Sequence, residues 1–342
     1  AAVPASSVWL IAAIYIPANL MFNLGENFLA SFLPELAEKG DFGRISGFSW
    51  ACAYAAALFL LVLTVAGMMI FGLKAEATWR PFFVFAGIWF LAFLVPTALV
   101  LKEKATSGDR SGAAIVEALV RLSRTARSIA SFRDLAVLLA ASFFYGTGMS
   151  VVIAFASIIA GDFGFGAEKL VAFVAVVTVS GVLGTLIPTA LQDRIGHKKT
   201  TIGLLVMWIG VTGAFAGYAF AFGRASNPAA FPTWPLWVFG NLIGLGLGSL
   251  GSANRAFVGV LTPAGRSAEV FGIWGMVFKL AAVGTVPFAL VKDRIGIDWS
   301  LLVLAAFFAA GLALSFLVNE ERGIRAAAPP AGAGDSSPTL KS

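Results

Sequence analysis

The first residue whose chemistry demands explanation is a lysine ten positions into an otherwise apolar run. Lys279 lies in EVFGIWGMVFKLAAVGTVPFALV, residues 269–291. In a helix that offset places it about 15 Å from the start of the run, near the midplane of a hydrocarbon layer about 30 Å thick. A charge there costs on the order of 3 kcal/mol even on a mild insertion scale, so it faces a cavity or a partner. Lys279 either lines a cavity and binds an anionic group such as a carboxylate, or makes a structural pair or bonds to carbonyls. Glu26 is the one acid well inside an apolar run, with Asn23 and Asn27 beside it. Asn19, Asn23 and Asn27 recur at four-residue spacing and share one helical stripe. That stripe is either a polar cavity wall with Glu26 as a protonation site, or Glu26 is an ordinary ion-pair partner for a loop base. Arg255 follows Asn254 near a run's end and is either a gate-side ion pair with Glu269 or Glu26 or an orienting, snorkelling arginine.

Other chemistries find little support. His197 is the sole histidine and stands among Lys and Arg, and Cys52 is the sole cysteine, inside an apolar run. A histidine-rich metal cluster, a disulfide, paired intramembrane acids and a nucleophile motif are all lacking. The run GLGLGSLG, residues 244–251, has no strand before it and no P-loop lysine after it. Gly240, Gly244, Gly248 and Ser252 are each four apart, which lets two membrane helices approach closely. The expectation is a protein that is not an enzyme, holds no metal or cofactor and binds no nucleic acid.

These residues need helices in a bilayer to position them. Of 342 residues, 59% are apolar and 12% charged, about half the charge of a soluble domain, and mean hydropathy is +0.88. Disorder, coiled coil and soluble globular folds are excluded on those numbers. Nine runs of membrane-crossing length are predicted: 8–32, 46–70, 81–101, 134–160, 168–191, 200–222, 234–261, 269–291 and 299–318. If the chain starts outside, 17 Lys and Arg fall in the inner segments 33–45, 102–133, 192–199, 255–268 and 319–342, against six in the outer ones. The positive-inside rule then sets the C-terminus in the cytoplasm. Trp9, Trp79, Trp234, Trp237 and Trp299 all fall at the outer interface in that orientation. An odd number of spans with no initiator Met leads to the expectation that at least one further span precedes residue 1. Segment 102–133 interleaves apolar residues with Arg121, Arg124 and Arg127, which suits either an amphipathic helix on acidic headgroups or a plain linker carrying orienting charge.

Two stretches resemble each other: FLPELAEKGDFGRISGFSWACAY from residue 32 and VLTPAGRSAEVFGIWGMVFK from residue 260. Aligning Gly47 with Gly272 sets Tyr54 against Lys279, and makes spans one to three and seven to nine equivalent units, as in secondary transporters built from repeats. The loop LQDRIGHKKT, residues 191–200, resembles the signature loop of the major facilitator superfamily, with Thr189 and His197 where Gly and Arg are usual. Asp193 can sit against the dipole of a neighbouring helix while Arg194 and Lys198 anchor to headgroups; the plainer reading is positive-inside charge alone.

Within that superfamily the chain resembles the vacuole-effluxer family of autophagy-related permeases and their bacterial relatives. The resemblance rests on residues 32–54, FFYGTGMSVVIAF (143–155), QDRIGHKKT, and NRAFVGVLTPAGRSAEVFG with Lys279; Arg255, Pro263, Gly265, Arg266, Glu269, Phe271 and Gly272 keep the family spacing. Tyr145 is followed by Gly146 and Thr147 where the family has Asn-Asp-Gly, so an acid that could serve coupling is missing. The resemblance implies an all-α polytopic membrane protein of the major facilitator fold, with nine of twelve transmembrane helices present. Residues 1–101 become the last three spans of the N-terminal half, 102–133 a cytoplasmic linker, 134–318 the C-terminal six-span half and 319–342 a disordered cytoplasmic tail. It further implies a monomeric secondary transporter in a bacterial inner membrane, exporting a small metabolite such as an amino acid by alternating access; proton coupling stays open, because Thr147 stands where the family has its acid. The expected site joins Lys279, Glu26, Asn23, Asn27, Tyr145, Thr147 and Tyr54 in a substrate cavity to Asp193, Arg194, Lys198, Arg255, Arg266 and Glu269 as gating groups. The alternative is a non-transporting assembly factor or sensor with the same fold.

Overall fold

The computed structural model describes residues 8–37, 40–72, 80–101, 131–222 and 232–328. Uninterrupted apolar runs in a chain that must satisfy its own backbone groups can form only helices or a closed barrel, and the described residues form helices without a strand. In chain order they are α1 (Val8–Ser31), α2 (Leu33–Leu36), α3 (Phe42–Phe71), α4 (Arg80–Val100), α5 (Arg133–Asp162), α6 (Ala167–Ile195), α7 (His197–Phe222), α8 (Trp234–Val260), α9 (Ser267–Ala281), α10 (Thr285–Arg294), α11 (Ile297–Leu317) and α12 (Glu320–Ala327). Among the described residues eight stretches are long and apolar enough to cross a membrane, with α9 and α10 counted as one. The chain is therefore an all-α polytopic membrane protein. The first expected span folds as α1, which stands outside those eight. Of the expected amphipathic segment 102–133, residues 102–130 lie outside the described residues.

Two differences from the sequence reading have physical causes. The span expected at 269–291 is broken: a 3-10 turn at Ala282–Gly284 separates α9 from α10. Pro287 cannot donate to the carbonyl four residues back, Val283, and its ring crowds that carbonyl. The Thr285 N–H turns to Ala282 O, which leaves Ala281 O without its helical donor. The stretch expected to be disordered from Asn319 begins instead with α12, because the Asn319 side chain accepts the Arg322 N–H at 2.9 Å and caps that helix.

Contacts divide the chain into two units, residues 1–25 with 55–120, and residues 26–54 with 121–342. In the first, aromatic rings make the packing: Phe22 on Phe90 at 6.2 Å, Phe59 on Trp89 at 5.5 Å, and Trp89 on Phe93 at 4.9 Å. No residue of α4 is buried. The second unit has a close-packed interior in which Trp208 of α7 stacks on Phe308 of α11, centroids 4.5 Å apart and planes 13° from parallel. The small-residue stripe of α8 lies on α6. A Cβ on Gly240 would overlap the Phe173 ring, one on Gly244 the Val177 carbonyl, and one on Gly248 the Gly181 carbonyl. Ser252 ends the stripe buried, donating to Gly248 O at 2.9 Å.

Candidate functional site

At one end of the second unit, helices are tied together by carboxylates on backbone amides. The first turn of any helix presents N–H groups without intrahelical partners and a partial positive charge, so an acid there is doubly favoured. Asp193, near the end of α6, accepts the Gly43 N–H on Oδ1 at 2.8 Å and the Arg44 N–H on Oδ2 at 2.8 Å, capping α3. Gly196, at φ +100°, then turns the chain directly into α7. Glu320 of α12 repeats the arrangement on α7, accepting the His197 N–H at 3.0 Å and the Lys198 N–H at 2.9 Å. Asp134, the second residue of α5, accepts the Asn319 N–H at 2.7 Å and takes Nε and Nη2 of Arg322 at 2.7 and 2.8 Å. This fork holds the Arg322 guanidinium above its ordinary value, chiefly through the hydrogen bond to Asp134. Lys198 donates its Nζ to the Phe316 carbonyl at 2.9 Å, at the end of α11, and Arg194 is exposed.

Beside this region lies a cavity of about 390 Å³ within the second unit, lined by Glu26, Ser49, Trp50, Arg255 and Trp274 together with aliphatic side chains. Arg255 is held by α3: its Nε donates to Ser46 Oγ at 3.0 Å, and its Nη2 to Ser46 O at 2.8 Å and to Ser49 Oγ. Ser46 is fully buried and donates in turn to Ser252 O at 2.7 Å. These bonds engage Nε and Nη2 and leave Nη1 outside the network. Glu26 supplies the negative charge that reaches Arg255. A fixed guanidinium and a carboxylate in one cavity can bind a group of each sign. A second cavity, about 110 Å³ between α5, α6 and α8, has walls such as Val152, Phe173 and Ile243 and nothing to orient a charge.

The remaining expected site residues sit elsewhere. Tyr145 does not line the cavity: it is fully buried, and its hydroxyl donates to Asn254 Oδ1 at 2.7 Å in a network with Ser142. Thr147 is equally buried, sharing its one hydroxyl proton between Phe143 O at 2.9 Å and Ala281 O at 3.1 Å. It therefore serves the carbonyl that the break between α9 and α10 releases, and a Cβ on Gly284 would overlap it. Both were expected in a cavity because a polar residue in an apolar run can face either a ligand or a backbone carbonyl; here the carbonyl or a neighbouring side chain takes it. Tyr54 rests on Gly181 and Trp50, and Asn27 packs on Gly275 of α9. The side chain of Asn23 lies outside the described residues. Arg266 and Glu269 flank the start of α9 and do not line the cavity. Lys279 is exposed in the last turn of α9, three residues before the break. Ser46, Ser49, Asp134 and Glu320 were not anticipated. For Glu320, the spacing of Asn319 to Arg322 at a helix start was the available signal.

Fold and site together define a polytopic α-helical membrane protein in which polar groups tie helix ends and line a cavity. Residues 33–328 match the family described as "Vacuole effluxer Atg22 like", and the chain belongs to that family. It is similar to the Bacillus subtilis protein "Uncharacterized MFS-type transporter YxiO", 20% identical over 92% of this chain and 73% of that protein. "Autophagy-related protein 22-1" of Penicillium rubens is 24% identical over 82% of this chain and 50% of its own length. "Autophagy-related protein 22-2" of Sclerotinia sclerotiorum is 26% identical over 82% and 44%. The chain thus spans about half the length of these fungal relatives.

Proposed function

We propose that the protein is a secondary transporter that exports a small zwitterionic metabolite, an amino acid in the simplest case, by alternating access. The observation that carries this reading is the Glu26–Arg255 cavity. Its volume lies in the range that holds small molecules, and its two charges suit an ammonium and a carboxylate on one cargo. Arg255, fixed by Ser46 and Ser49, offers Nη1 to the carboxylate, while Glu26 takes the ammonium. Glu26 also serves as the protonation site that couples cargo to a proton, since a proton and an ammonium compete for the same carboxylate. The capped helix ends act as a latch that must open and close as access alternates. The Lys and Arg distribution supports a C-terminus in the cytoplasm of a bacterial inner membrane, and one monomer suffices for the cycle.

The test is counterflow of labelled amino acids in liposomes carrying the full-length protein, comparing the natural chain with Arg255→Gln. Saturable exchange that drops at least about tenfold in the variant is expected, the scale of a lost charge-assisted bond. An equal rate in both rejects the site. Thermal stabilisation by amino acids without exchange favours a non-transporting sensor.

A further inference from the structure

His197 sits where the latch is made. It is the sole histidine of the chain, buried, at the first position of α7. Its Nε2 lies 3.9 Å from Asp193 Oδ1, the oxygen that accepts the Gly43 N–H. Its own N–H is held by Glu320, and its ring stacks on Phe257 of α8, planes 18° apart. Among the described residues Nδ1 has no hydrogen-bond partner, so the protonated ring carries one N–H that those residues leave without an acceptor. The charges that reach the ring are Asp193 from α6 and Glu320 from α12. From α8 it meets Phe257, which is uncharged. Of the neighbouring cations, Lys198 is engaged on the Phe316 carbonyl and Arg44 on Asp41, while Arg194 and Lys199 are exposed.

We infer that His197 is a proton-sensitive joint of this latch: its protonated ring tightens the hold of Asp193 on the first turn of α3, and its neutral ring loosens it. A carboxylate oxygen can accept more than one donor. A charged ring can therefore close on Asp193 Oδ1 without displacing the Gly43 N–H, and it compensates two acids that otherwise flank a neutral group. Histidine is the side chain whose charge changes between about pH 5 and 8. The acid capping α3 and the acid capping α7 both act on this ring, so one proton acts on both ties. The inference rests on the latch reading of Asp193 and on no particular cargo.

A single histidine makes the experiment unambiguous. The full chain in nanodiscs, grown with labelled histidine, gives one ring signal whose NMR shift is followed from pH 5 to 8.5. Hydrogen-exchange protection of the Gly43 and Arg44 amides, corrected for intrinsic rates, is followed over the same range. Protection should rise roughly tenfold on acidification, the factor that one unit of proton coupling gives, with the midpoint of the ring titration. His197→Gln should flatten the pH profile and leave the amides protected. Asp193→Asn should lower protection at every pH. A His197→Gln profile that follows the natural one overturns the inference, as does a ring that titrates while protection stays constant. Full protection in Asp193→Asn overturns the latch itself, a distinct outcome. If His197→Gln does not fold, the two midpoints in the natural protein decide: agreement supports the joint and disagreement rejects it.

Discussion

Replacing Gly248 by alanine separates close helix packing from helix propensity. In the helix interior the change favours folding by up to about 1 kcal/mol, because alanine loses less backbone freedom than glycine. At Gly248 the added Cβ would collide with the Gly181 carbonyl and stand 3.0 Å from Thr185 Cγ2. A carbonyl inside a helix cannot rotate aside, so α6 and α8 must part. Overpacking costs about 1–3 kcal/mol, and an immovable neighbour argues for the upper end. The net is about 2 kcal/mol destabilising, or about 4–8 °C of melting temperature at 2–4 °C per kcal/mol. Gly210 of α7 is the control, since a Cβ there meets nothing within 4 Å; Gly210→Ala should leave the melting temperature unchanged or raise it by about 1–4 °C. Thermal unfolding of both variants in one detergent, by thiol-independent fluorescence, reads the difference. Shifts of the same sign and size would refute the close-approach account of the α8 stripe.

Thr147→Val keeps the shape of a side chain but withdraws the proton shared with Ala281 O, and should destabilise by about 1–3 kcal/mol; Thr147→Ser should restore most of it, with exchange rates at 281–285 as the readout. Asp134→Asn should speed amide exchange across 319–323, since Asp134 receives both Asn319 and Arg322; unchanged exchange would mean that α12 is held otherwise. Lys279→Ala should leave the melting temperature unmoved, because the side chain is exposed, and cargo binding intact, because Lys279 does not line the Glu26–Arg255 cavity; a loss of about tenfold would bring Lys279 into the site.

Most helices were legible because membrane-length apolar runs are written in composition, and their ends agree with the sequence reading within a few residues, as for Trp234–Val260 and Ile297–Leu317. The two similar stretches enter their helices at the same offset: α3 begins five residues before Gly47 and α9 five before Gly272. The position of Asp193 against a helix start followed from its loop, whereas its receiving helix, α3, did not, because spacing along the chain says nothing about which amide 150 positions away lies opposite. Pro287 carried the signal for the broken helix. It was indistinct because Pro17 and Pro96 occupy continuous helices in the same chain. Tyr145 and Thr147 could not be sorted between ligand and backbone without knowing which neighbour comes within 3 Å.

The ties at the helix ends join side chains to main chain, and that sets an asymmetry in what substitution can do. Gly43, Arg44, His197 and Lys198 contribute N–H groups that every residue except proline possesses. The accepting positions, Asp193 and Glu320, contribute carboxylates that few residues can imitate. A saturation library should therefore tolerate broad replacement at the donating amides, proline apart, so far as their bonds to the acids are concerned, and narrow replacement at the acids. The loop end of this protein can thus drift in amino-acid identity along one partner of each tie while its geometry stays fixed by the other.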